Sequence, residues 1–126
     1  MIIVYINCSL FPFIDWIIAL QKVFETRNKN MLKNLIGKTV FLAETGKHKK
    51  PLVRCSCVIG NSHVITDKRT YNHYRKGTRI KAGSIYDFIP GKKKHLYPLY
   101  DVKEIEPFPV PENVVRYGRT YAIINN

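Results

Sequence analysis

The chain has 126 residues, of which 45% are hydrophobic, and a formal net charge of +12. This length suits one domain with its own core, and the apolar fraction excludes a wholly disordered basic tail. The three cysteines, Cys8, Cys55 and Cys57, are an odd number without framework spacing. They argue against a disulfide-stapled secreted domain and favour a reducing, cytoplasmic location.

The positive charge is concentrated in the middle of the chain. Residues 38–94 hold fourteen basic and three acidic side chains, whereas residues 1–30 hold three basic and two acidic ones. Clustering of one sign within a folded domain exceeds what solubility requires. It favours a polyanionic partner, which is nucleic acid or an anionic membrane surface.

The first twenty residues are almost continuously apolar. They lack the positive region and the cleavage site of a signal peptide. The favoured interpretation is a short strand, Ile2 to Ile6, followed by a helix from about Pro12 to Thr26 with an apolar stripe. Membrane anchoring through residues 1–27 is the alternative, although Pro12 and Asp15 lie near the middle of such a span.

A polar break at Asn28–Asn30 separates this segment from a run that begins at Met31 and is typical of a domain start. We therefore predict two parts. Residues 1–30 form an apolar N-terminal extension or docking helix, and residues 31–126 form a domain that folds without it.

The centre of the chain predicts a strand, a basic loop and a second strand. Thr39–Ala43 is a β-branched and aromatic run, and Gly46–Lys50 is a cationic turn that ends at Pro51. From Leu52 onward the residues alternate. The alternation places Val53, Cys55, Cys57 and Ile59 on one face, and Arg54 and Ser56 on the other.

The remaining elements follow from turn and cap residues. A strand at His63–Ile65 precedes a helix from about Asp67 to Lys76, with Thr66 or Asp67 as N-cap and Gly77 after its end. Further strands are predicted at 79–82, 85–89, 96–105 and 116–124, with a cationic turn at 91–94 and a proline-rich crossing at 107–111. Short strands with one or two helices indicate a mostly β (α+β) domain, a small antiparallel barrel.

The segment Gly46–Arg54 resembles the ASCH branch of the PUA-like superfamily. The motif of that branch is a glycine, a lysine, a glutamate and an arginine along a loop that runs into a strand. Gly46, Lys49 and Arg54 match in kind and order, with one extra residue between the first two, and Pro51 and Leu52 stand where the glutamate would be. The resemblance covers roughly residues 35–124.

The resemblance implies a small PUA-like β-barrel that holds nucleic acid or a modified nucleoside in a cleft. Some members hydrolyse RNA or an acylated cytidine. In an enzyme of this kind, Lys49 and Arg54 would be the catalytic residues here. The missing glutamate counts against hydrolysis.

We therefore predict a nucleic-acid-binding barrel with a basic rim, which favours RNA or single strands and is suited to modified-nucleotide recognition. One alternative is an ASCH-type ribonuclease or nucleoside amidohydrolase; the other is a membrane-tethered or protein-binding module. No cofactor is expected, and no metal, because Cys55, Cys57, His63 and His73 lack the spacing of a closed zinc site. The predicted binding residues are Lys47, Lys49, Lys50, Arg54, Arg75, Lys76, Arg79, Lys81, Lys92, Lys93, Lys94, Tyr97, Arg116, Tyr117, Arg119 and Tyr121.

Overall fold

A computed structural model describes residues 1–124 of the chain. The predicted domain ends at Asn126, so its last two residues lie outside the described part. The strands are β1 (Ile2–Asn7), β2 (Phe24–Arg27), β3 (Thr39–Thr45), β4 (Leu52–Ile59), β5 (His63–Ile65), β6 (Lys94–Pro109), β7 (Val114–Tyr117) and β8 (Tyr121–Ile124). The helices are α1 (Phe13–Ile18), α2 (Lys68–His73) and α3 (Arg75–Thr78), with a 3₁₀ turn at Lys33–Leu35.

The mostly β class is confirmed, because all eight strands belong to one sheet. Its order is β2-β6-β4-β3-β1-β8-β7, and β5 also pairs with β6. The pairing of β1 with β3 is parallel, and the other pairs are antiparallel. The chain therefore begins in the middle of its sheet.

The sheet is open, whereas the sequence predicted a small antiparallel barrel. Within residues 1–124, no strand pairing joins β2 at one end of the order to β7 at the other. The pairing of the long strand β6 with β4 is irregular between Ser56 and Val58. At this irregularity Asp101 of β6 has a left-handed φ of 51°. Bulges of this kind bend a strand, so the sheet curves without closing.

A second bulge, in the pairing of β3 with β4, changes which residues of β4 share a face. Leu42 pairs with Cys55 and Ala43 pairs with Val53, which leaves Arg54 as an extra residue without a partner on β3. Val53 consequently packs with Ala43 in one core cluster, and Cys55 packs with Leu42 in the other. The prediction of one shared face was wrong for Val53, because alternation fails wherever an extra residue enters a strand.

The N-terminal helix is much shorter than predicted. It ends at Ile18, and Leu20 turns the chain with a left-handed φ of 60° before β2 begins. Phe13, Ile14 and Ile17 pack this helix against the larger core cluster. No helix within residues 1–124 is long and apolar enough to cross a membrane.

The region between β5 and β6 is largely helix and turn. The Asp67 cap is confirmed, since its carboxylate accepts a hydrogen bond from the Thr70 N–H at 2.8 Å. Residues 79–82 and 85–89 form turns and coil, so both strands predicted there were wrong. The final strand predicted at 116–124 is a hairpin, in which β7 and β8 pair across a turn at Gly118.

Residues 1–30 are part of the sheet and do not form a separate extension. β1 lies between β3 and β8, and its Ile3, Val4 and Ile6 are at most 3% exposed. β2 pairs with β6. The boundary predicted at residue 30 was based on the polar residues Asn28–Asn30. In the structure these residues form a surface loop that connects two parts of one core.

We expect residues 31–126 expressed alone not to fold cooperatively. Their sheet would lose its central strand, and burial of each large apolar side chain in β1 is worth roughly 1.5–3 kcal/mol against a typical total of about 5–15 kcal/mol. A thermal melt followed by circular dichroism tests this. Adding residues 1–30 as a separate peptide should restore a transition, and a cooperative melt without the peptide would contradict the expectation.

Candidate functional site

A cleft of about 680 Å³ opens where the curved sheet fails to close. β8 pairs with β1 only at Ile2–Val4, so the edge of β1 beyond them is not covered by that strand. β2 comes opposite this edge, and Arg27 Nη2 donates to the Tyr5 carbonyl at 3.0 Å. The cleft is the gap that remains between the two strands, and residues 5–7 and 25–29 line it.

The charged groups that line this cleft are predominantly cationic. The Glu25 carboxylate accepts from the Thr26 N–H at 2.8 Å and lies 3.4 Å from Arg27 Nη2. These bonds fix the carboxylate against its own strand. The charged lining consists of Glu25, Arg27, Lys29, Lys94, Arg116 and Arg119, which is five cations and one carboxylate.

Three aromatic side chains also line the cleft: Tyr5, Phe13 and Tyr86. The Arg116 guanidinium lies 4.5 Å from the centre of the Tyr5 ring. Phe13 and Tyr86 pack edge to face, with 5.4 Å between ring centres. Tyr5 and Phe13 are each only 5% exposed, so Tyr86 is the ring of the three that keeps surface for a base beside the positive charge of the cleft.

Lys22 is buried next to this cleft, at 1% exposure, and does not line it. Its Nζ donates to the Thr78 carbonyl at 2.6 Å and lies 4.7 Å from the centre of the Phe13 ring. Burial lowers the pKa of this ammonium to about 8, and the nearby Glu25 opposes part of the shift.

The lysine, glutamate and arginine of the ASCH motif also occur in order in a second stretch, Leu20–Arg27. Lys22, Glu25 and Arg27 follow one another along a loop that runs into β2. Leu20 stands in the place of the glycine and has the left-handed backbone that glycine adopts without strain. Unlike Gly46–Arg54, this stretch contains the glutamate, and two of its members line the cleft. This stretch was not identified from the sequence, because leucine stands where the motif has a glycine.

The motif residues predicted at Gly46–Arg54 have a different environment. Arg54 Nη1 donates to the Asp15 carboxylate and, at 3.0 Å, to Glu44 Oε2. Glu44 is 2% exposed and also lies 2.7 Å from the His48 ring. This cluster ties α1 to the β3–β4 hairpin. Lys49 is exposed at the tip of that hairpin.

The predicted basic residues divide between the cleft lining and other positions in the structure. Of that set, Lys94, Arg116 and Arg119 line the cleft. Arg75 forms an ion pair with Asp87 at 3.0 Å, and Arg79 lies 4.8 Å from the Trp16 ring. The exposed members outside the cleft are Lys47, Lys49, Lys50, Lys76, Lys81, Lys92 and Lys93.

The three predicted tyrosines divide between core and surface. Tyr97 is fully buried, and its hydroxyl donates to Asn30 Oδ1 at 2.6 Å and accepts from the Leu32 N–H at 3.3 Å. It therefore has no ring face available for a base. Tyr117 and Tyr121 stack on each other across the β7–β8 hairpin, with 5.0 Å between ring centres.

No protein-family model matches the chain, and no curated protein matches it by sequence. Solved structures do match. The ASCH protein of Zymomonas mobilis superposes with a TM-score of 0.69 at 15% identity, covering 86% of this chain and 73% of that one. Its serine-to-alanine mutant gives 0.68 at 16% identity, covering 86% and 72%. Its tyrosine-to-phenylalanine mutant gives 0.68 at 15%, covering 86% and 75%. The chain therefore has an ASCH-like, PUA-like fold.

The buried charge of Lys22 predicts a pH dependence of stability. In the unfolded chain this group keeps its ordinary pKa of 10.5, so from about pH 8 upward the unfolded state binds more protons than the folded state. The contribution of Lys22 to the free energy of unfolding should then rise with pH by about 1.4 kcal/mol per unit until about pH 10.

Lys22→Met should remove this rise. Urea titrations of the wild type and the variant measure it, because the difference between the two proteins isolates the one group. The exposed Lys38→Met is the control and should follow the wild type. Parallel curves for the wild type and Lys22→Met would contradict the prediction.

Proposed function

We propose that the protein binds single-stranded nucleic acid, RNA above all, and holds a nucleotide in the cleft between β1 and β2. The observation that supports this most strongly is the composition of the cleft, whose lining holds five cations and one carboxylate together with the partly exposed Tyr86 ring. Cations neutralise phosphates, and aromatic rings stack on bases. The volume of about 680 Å³ lies within the range of small-ligand sites.

The helices favour single strands over duplex DNA as the ligand. The longest helices within residues 1–124 have six residues, and α1 packs into the core. Most proteins that read a major groove insert a helix that projects from the protein surface. An open cleft instead suits a base that is already unstacked.

The cationic hairpin Lys47–Lys50 extends the proposed path of the phosphate backbone. Gly46 packs against Asn7 and Ser9, and both Asn7 and Thr45 line the cleft. The hairpin therefore begins at the edge of the cleft. Of its lysines, Lys50 pairs with Glu112 at 2.9 Å, which is an exposed contact that a phosphate could replace.

We also propose a cytoplasmic location. Cys8, Cys55 and Cys57 are free and buried. Burial raises the pKa of Cys55 and of Cys57 to about 12, so both thiols stay protonated. Three unpaired cysteines in the core suit a reducing compartment.

Affinity for a single-stranded oligonucleotide should fall steeply with salt, with a log–log slope of roughly −3 for about four or five phosphate contacts. Arg116→Ala with Arg119→Ala should weaken binding and flatten that slope by about 1.4, because two contacts are lost. Titrations by fluorescence anisotropy at several salt concentrations measure both quantities.

The matched control is Lys68→Ala with Arg69→Ala, which changes the net charge equally. These residues lie on α2 and line a separate shallow depression. The control pair should bind as the wild type does. Equal losses in the two double variants would mean that general charge, not the cleft, drives binding, and no salt-sensitive binding at all would refute the proposal.

A second candidate function is hydrolysis of RNA or of an acylated nucleoside in the same cleft. It is favoured by the Lys22, Glu25 and Arg27 series, because the resembled family includes such hydrolases. Glu25 faces the cleft and would act as general base, while Arg27 and Lys94 would stabilise the negative charge that develops on the substrate.

Glu25→Gln should lower a hydrolytic rate by about a hundredfold or more while leaving oligonucleotide binding in place, because the amide keeps the shape but is not a base. RNA and N4-acylated cytidine are the substrates to assay by chromatography. Glu112→Gln, an exposed carboxylate outside the cleft, is the control. If the wild type leaves both substrates intact, the hydrolase candidate is wrong and the binding proposal stands.

A further inference from the structure

Lys94 is the cation in the cleft with the most unusual environment. Its residue is only 6% exposed, yet it lines the cleft. Among residues 1–124 its ammonium has no hydrogen-bond partner and no ion pair. A buried charge normally has a partner, because an unpaired one loses its hydration without compensation. Burial accordingly lowers the pKa of Lys94.

The carboxylates nearest to Lys94 are already engaged elsewhere. Asp87 binds Arg75 at 3.0 Å and accepts from the N–H groups of Gly83 and Phe88, each at 2.8 Å. Glu25 is held by Arg27 and by a backbone N–H. Both carboxylates affect the pKa of Lys94 only through space. The ammonium therefore keeps its hydrogen-bonding capacity for a ligand.

We propose that Lys94 binds a terminal phosphate, so that the cleft recognises the phosphorylated end of a single strand. This inference rests on the proposed function and specifies which part of the nucleic acid enters the cleft. The ligand is a phosphomonoester at the 5′ or the 3′ end. Both ends carry the same chemical group, and separate oligonucleotides distinguish them.

Two physical differences favour a terminal over an internal phosphate. A terminal phosphate carries up to two negative charges near neutral pH, whereas a phosphodiester carries one. A nucleic-acid strand can also place its terminal phosphate in the cleft by inserting one end. To place an internal phosphate there, the strand must both enter and leave the cleft. Phe13, Ile80 and Tyr86, which line the same cleft, offer no charge to a following phosphate.

The experiment compares three single-stranded oligonucleotides of one sequence, with a 5′-phosphate, a 3′-phosphate, or hydroxyl groups at both ends. For the wild type, one phosphorylated form should bind roughly tenfold more tightly than the hydroxyl form, the usual scale of one charge-assisted hydrogen bond. This comparison needs no variant, so it does not depend on how well a variant folds.

Lys94→Met should bind all three oligonucleotides equally. Lys93→Met, which removes the adjacent exposed lysine, is the matched control and should keep the preference. If the wild type binds the three forms equally, or if Lys94→Met retains the preference, the inference is wrong while nucleic-acid binding stands. If the wild type binds none of the three, the proposed function fails and this inference fails with it.

Discussion

The hydrogen bond from Arg27 to the Tyr5 carbonyl connects β2 to β1, two strands that do not pair with each other within residues 1–124. β1 lies between β3 and β8, but β8 pairs with it only at Ile2–Val4. β2 is reached along the sheet only through β6, β4 and β3. The curvature of β6 brings β2 back towards β1, and the Arg27 side chain reaches across the remaining distance. The cleft is the gap between β1 and β2, which no strand within residues 1–124 fills.

This geometry explains why so much positive charge can lie in one small site. A closed barrel would direct the residues at this seam into a packed core, where unpaired cations are costly. In the open sheet, β2 contributes Glu25 and Arg27, β6 begins at Lys94, and the β7–β8 hairpin adds Arg116 and Arg119. Apart from Lys94, the cations keep part of their surface in solvent. The apolar clusters on the two faces of the sheet hold these segments in place.

Local patterns in the sequence predicted the class of the fold and several of its elements. The strands β3, β4 and β5 and the Asp67 cap follow from alternation, turn residues and side-chain chemistry. The bulge at Arg54 could not be predicted, because an extra residue leaves no mark in a hydrophobic pattern. Residues 1–30 were misassigned because apolar sequence followed by a polar break describes both a detachable helix and a central strand with its surface loop.

The candidate site was only partly predictable for a similar reason. Arg116 and Arg119 were predicted as single residues, but their neighbours in the cleft, Arg27 and Lys29, come from a part of the chain with almost no net charge. Most of the binding residues were predicted within residues 38–94, because the basic residues are concentrated there in the sequence. The structure instead gathers cations from both ends of the chain, and only pairing of distant strands places them together.

Mapping the backbone amides that respond to a short single-stranded RNA tests the central claim most directly. In a nuclear magnetic resonance titration, the account predicts that the largest shifts fall on residues 5–7, 25–29, 116 and 119, which border the cleft. Smaller shifts should extend into the β3–β4 hairpin. Shifts confined to α2 and the exposed lysines at 92–93, with the edges of β1 and β2 unchanged, would contradict it.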